Sequence, residues 1–128
     1  MIVLKDGDKL RLLCQFEHIG LAYTGAKIRA AIGKGGIWGF KEYLKVEVPV
    51  SGIKADPTWT SYEITVDIPI SGVGTLGIPV GSDYEVYAKM LSIPGDDLFW
   101  YGPENDITLA VVVQPADFQD LTVVYQKA

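Results

Sequence analysis

Two residues have the chemistry for nucleophilic or acid–base work: His18, the single histidine, and Cys14, the single cysteine. A thiol nucleophile needs a base within hydrogen-bond reach. Both residues fall in one alternating run. Leu10, Leu12, Cys14 and Phe16 share one face, and Lys9, Arg11, Gln15 and Glu17 share the other. On a strand, that i, i+4 spacing is about 13 Å, too far for a catalytic pair. Cys14 is therefore expected as a small core residue. His18 extends the same inward face and is expected half-buried, with a backbone partner.

Two glycine-rich segments invite a phosphate reading. Gly33-Lys34-Gly35-Gly36-Ile37-Trp38-Gly39 lacks the Gly-Lys-Ser/Thr ending of a P-loop, and no helical pattern follows it. Gly72-Val73-Gly74-Thr75-Leu76-Gly77 matches G-x-G-x-x-G, but that fingerprint must open a helix whose N-terminus holds the pyrophosphate. Pro79 and Gly81 follow at once, so nucleotide binding is not expected.

Among the carboxylates, Asp6 and Asp8 flank Gly7, and Asp96, Asp97, Glu104 and Asp106 bracket an aromatic run. The second group has the oxygen ligands calcium takes, but its spacing fits no EF-hand loop. Acidic loop residues are more often simply solvated, so no metal or other cofactor is expected. Nothing orders two carboxylates across a cleft as a glycosidase requires.

The aromatic residues offer a different chemistry. Trp38, Trp59, Trp100 and Tyr101 fall in or beside the loops between alternating runs. Flat rings in such places stack on sugar faces or anchor interfaces, and equally often cap the ends of a core. These four residues are the candidate ligand platform.

Those side chains must be carried by a single domain spanning residues 1–128, a length that buries a core without disulfides. With Lys+Arg 11 against Asp+Glu 16, the net charge is -5 and no basic run occurs. The footprint of a nucleic-acid binder is absent. No stretch reaches the ~20 apolar residues of a membrane helix, and Met1–Leu4 runs straight into Lys5-Asp6-Gly7-Asp8, so neither membrane insertion nor a signal peptide is expected.

The chain's main pattern has a period of two. After the first run come Ala26–Ile32, Tyr43–Val50, Tyr62–Ile70, Tyr84–Leu91, Asp106–Val113 and Leu121–Gln126, with Gly and Pro in the gaps. No window has helical spacing. Seven short strands with turn signals predict an all-β fold: a seven-stranded antiparallel two-sheet sandwich, immunoglobulin- or fibronectin-like, with a flattened barrel as the alternative. Pro49 and Pro69 cannot donate to a ladder and are expected at strand ends or edges. They sit in similar phrases, Pro49-Val50-Ser51-Gly52 and Pro69-Ile70-Ser71-Gly72, which read as two similar strand exits.

Several positions on the outward faces are apolar: Leu13, Tyr87, Leu91, Val112 and Val124. If their strands are neighbours, they form a dry outer face suited to an oligomer or a docked protein.

The phrases Ala30-Ala31-Ile32-Gly33, Gly39-Phe40, Trp59-Thr60-Ser61-Tyr62, Tyr84-Glu85-Val86-Tyr87-Ala88-Lys89 and Leu121-Thr122-Val123-Val124-Tyr125 resemble those of Ig-like accessory modules appended to phage virion and prokaryotic surface proteins. The resemblance covers most of the chain and contains no catalytic or ligand motif. It implies a non-catalytic adhesion, decoration or assembly module at a virion or cell surface, with a protein partner or a second copy of itself. The competing expectation is a carbohydrate-binding module using the loop aromatics. Exposure of the tryptophans distinguishes the two.

Overall fold

The computed structural model describes residues 2–36, 39–74, 77–92, 95, 97–111 and 119–127, without the side chains of 36, 97, 99–101 and 104–106. The described residues are all-β and contain no helix. In chain order the strands are β1 (Ile2–Leu4), β2 (Lys9–Gly20), β3 (Lys27–Gly36), β4 (Gly39–Pro49), β5 (Asp56–Pro69), β6 (Gly81–Leu91) and β7 (Asp97–Leu109). One sheet has the order β1-β7-β6-β3-β4, and the other is the pair β2-β5. The sheets do not close on each other, so the barrel alternative is excluded.

The predicted alternation sets the registers. β3 pairs with β4 on one side and β6 on the other, Ala30 facing Val46 and Ala88. Flanked on both sides, it is dry in its middle: Ala30, Ala31 and Ile32 are fully buried. In the small sheet Leu12 faces Val66, Cys14 faces Ile64 and Phe16 faces Tyr62. Inward side chains of both sheets form one core, including Ile28, Ile32, Val66, Ile68, Tyr84, Ile107 and Leu109. Pro49 and Pro69 each end a strand, as expected.

Gly33 is required where it stands. The β3–β4 register shifts between Ile32 and Gly33, and a Cβ on Gly33 would lie 1.9 Å from the Lys41 carbonyl oxygen. The bulge turns two consecutive β4 residues, Tyr43 and Leu44, toward the core. Such a kink is what an extra residue does to a ladder.

Four expectations are corrected. First, the sheet is not purely antiparallel, because β1 pairs with β7 in parallel, Ile2 beside Ile107 and Leu4 beside Leu109. Three residues of continuous apolar sequence are too few to carry a period. Second, the last alternating run is not a strand: residues 119–127 pair with nothing among the described residues. Alternation prepares a segment for a ladder, but a ladder needs a partner. Third, the run Asp106–Val113 outlasts its strand: β7 ends at Leu109, and Val111 beyond it is 45% exposed. Fourth, the outward apolar set does not form one face. Leu13 is on the small sheet, Tyr87 and Leu91 are on β6 of the large sheet, and Val124 is in neither. Val112 lies outside the described residues.

Candidate functional site

Among the described residues, a groove of about 470 Å³ lies beside the edge of β2 that does not pair with β5. Its β2 wall includes Leu10, Leu12 and Cys14, and its floor includes Val86, Ala88 and Met90 of β6. It exists because two strands cannot cover five. Among the described residues β2 is hydrogen-bonded only to β5, so its other edge offers backbone N–H and C=O groups. Leu12, Cys14, Phe16 and Val86 all face the core yet stay half-buried. Burial pushes the Cys14 thiol above its ordinary range.

At the far end of the small sheet His18 Nδ1 donates to Asp56 Oδ2 at 2.8 Å. The Tyr62 hydroxyl donates to the same oxygen at 2.6 Å and accepts from the Lys54 N–H. The expected backbone partner of His18 is thus corrected to a carboxylate. Hydrogen bonds from Tyr62 and then His18 hold the Asp56 carboxyl below its usual range, and the same bond to Asp56 raises Tyr62. The cluster sits where the β2–β5 register shifts between His18 and Gly20, with Gly20 opposite Asp56. It fastens an irregular strand end. Sequence reasoning missed Asp56 and Tyr62, because only the register brings them to His18.

On the outer face of the large sheet, Arg29 grips Glu42 through Nη2 at 2.5 Å and Glu47 through Nη1 at 3.0 Å. Tyr87 donates to Glu42 and packs edge-on against Phe40, ring centroids 4.9 Å apart. Burial pushes Glu42 up, but its bonds from Arg29 and Tyr87 outweigh that and hold it below the carboxylate range. Burial, then the bond to Glu42, raises the Tyr87 hydroxyl to about 12. This network explains why Tyr87, although outward, is 3% exposed. Leu91 at the end of β6 is also buried. Neither is available as a docking residue, whereas Leu13 and Val124 are exposed.

Of the four candidate aromatic residues, only Trp59 has a described side chain. Trp59 lies within β5 rather than in a loop and is exposed. Trp100 and Tyr101 belong to β7, on the other sheet, and their side chains lie outside the description. Trp38 lies outside the described residues, as does the Asp96 end of the acidic group. At the G-x-G-x-x-G segment, whose residues 75–76 lie outside the described residues, Val73 is bridged to Ile78 and its N–H donates to Asp6. No helix follows it among the described residues.

The last conspicuous surface is the segment 119–127. Leu121, Val124 and Tyr125 are 92%, 96% and 92% exposed. Isolated exposed apolar side chains are ordinary, but a contiguous exposed set marks an interaction surface. The chain matches no known protein family, no curated protein and no solved structure.

Proposed function

We propose that the chain is a non-catalytic assembly module that binds protein, first of all its own copies. In this reading it is an Ig-like two-sheet decoration or assembly component of a virion or cell surface. The observation that carries the reading is the exposed apolar segment 119–127, which alternates like a strand and pairs with no strand among the described residues. Two features add support. The His18–Asp56–Tyr62 and Arg29–Glu42–Tyr87 clusters are internally satisfied and hold strands in place. The groove beside β2 is lined mainly by apolar side chains.

Sedimentation velocity of the whole chain over a hundredfold concentration range tests this. Larger species populated as concentration rises are expected. A single monomeric species throughout, with residues 119–127 covered by the chain's own sheets, would contradict the proposal.

A carbohydrate-binding reading has one observation in its favour, the exposed Trp59 ring on β5. Quenching or enhancement of tryptophan fluorescence by a glycan, abolished in Trp59→Ala, would favour it.

A further inference from the structure

Resting on the assembly reading, we propose that residues 119–127 of one copy add as a third strand to the free edge of β2 in a second copy, filling that copy's groove. The acceptor has two deficits. Its inward side chains Leu12 and Cys14 remain half-buried, and β2 is paired on one side only among the described residues. A third strand corrects both, since main-chain bonds supply affinity and alternate side chains supply specificity. The donor has the opposite deficit: an alternating segment with its apolar side chains in water. Leu121, Val123 and Tyr125 form its more apolar side, against Thr122, Val124 and Gln126. The exposure of Leu121, Val124 and Tyr125 places the segment outside its own chain's groove, so the occupant is a neighbour's.

One register suits both faces over residues 120–125. Set parallel to β2 with Val124 beside Leu13, the segment brings Leu121, Val123 and Tyr125 beside Leu10, Leu12 and Cys14, three residues that line the groove. On the outer side Val124 meets Leu13, itself 60% exposed. Asp120 then falls beside Lys9. The antiparallel alternative with the same Val124–Leu13 contact sets Asp120 beside Glu17, and like charges directly opposite destabilise a pair. The parallel arrangement is therefore the one we assign. Repeated head to tail it closes as a ring or runs on as a filament.

The native Cys14 provides the test. Neighbouring strands are about 4.8 Å apart, within disulfide reach. A full-length chain carrying Cys14→Ala and Tyr125→Cys is mixed with wild type and mildly oxidised, and the linked peptides are identified by mass spectrometry. A disulfide joining position 125 of the variant to Cys14 of the wild type is expected, and a matching Cys14→Ala, Val124→Cys chain should form several-fold less. Positions 124 and 125 lie outside every described strand and both donor chains share Cys14→Ala, so the two should give the same circular dichroism spectrum. In parallel, Val123→Lys should abolish the larger species in sedimentation, while Val124→Lys should weaken them less. A cross-link that forms only within single chains carrying Tyr125→Cys with Cys14 retained would overturn the proposal, placing the segment on its own groove. A wild type that self-associates with no 14–125 link, unaffected by Val123→Lys, would also overturn it while leaving the assembly reading intact. A wild type that never self-associates would remove both.

Discussion

Leu12 and Val66 face each other across the β2–β5 ladder, yet Val66 is fully buried and Leu12 is only half-buried. The difference is one of neighbours. β5 runs over β3 and β4 of the large sheet, with which it makes close contacts, whereas β2 borders the open groove. A pair of strands is marginal on its own and depends on what covers it. Among the described residues only β5 pairs with β2, and the proposed partner strand would lie on its other side.

Register in β5 is tested by two adjacent substitutions. Val66 is buried and Asp67 points outward to a bidentate pair with Arg11 at 2.9 and 3.1 Å. Val66→Asp should prevent folding, because an unpaired charge would enter the core. Asp67→Ala should cost less than ~1 kcal/mol, as exposed ion pairs contribute little. Urea denaturation ranks the two, and the reverse order would mean that the strand is flipped.

Gly33 tests the bulge between β3 and β4. Its missing Cβ leaves room for the Lys41 carbonyl and the Phe40 ring, which would otherwise lie 1.9 and 2.7 Å away. Gly33→Ala should destabilise by at least the ~1–3 kcal/mol typical of overpacking, because backbone would have to move. A neutral result in urea denaturation would show that the close approach is not present.

The Asp56 cluster predicts an acid-side loss of stability. The folded carboxyl is held below its ordinary range by Tyr62 and His18. Its contribution is therefore complete above the unfolded pKa of about 3.9 and is lost as pH falls through the lower folded value. Thermal melts should show the wild type losing part of its advantage over Asp56→Asn below about pH 4. An advantage unchanged between pH 6 and pH 2 would show that the carboxylate is not held by these bonds.

Tyr87 makes the complementary alkaline prediction. Its hydroxyl is raised to about 12, so its bond to Glu42 persists below an ordinary tyrosine pKa of about 10 and is lost as pH rises through the folded value. Difference absorbance between wild type and Tyr87→Phe should place this phenolate near pH 12 rather than about 10. Removing the hydroxyl should cost about 1–3 kcal/mol, the range for bonds to charged groups.

Much of the fold was legible because alternation is a local property. Six of the expected runs fall wholly or partly in β2 to β7, and apolar residues at alternate positions of those runs, Ile28, Val66, Ile107 and Leu109, are buried. Partnership is not local. Nothing in Leu121–Gln126 distinguishes an alternating run that has a ladder partner from one that lacks it. The three residues of β1 carried no period at all. For the same reason His18 could be placed on an inward face but its partner could not, since Asp56 reaches it only through the register of β2 and β5. Tyr87 was assigned to the correct face, but its covering by Phe40, Arg29 and Glu42 depends on a bulge that no spacing announced.

Amide hydrogen exchange of residues 121–126, followed as the full-length chain is diluted, tests the account most directly. Strand addition between copies predicts that these amides are protected when the chain is assembled and exchange at unfolded rates when it is monomeric, with amides on the free edge of β2 changing in step. Protection that persists in the monomer, or an assembly in which residues 121–126 exchange freely, would contradict it.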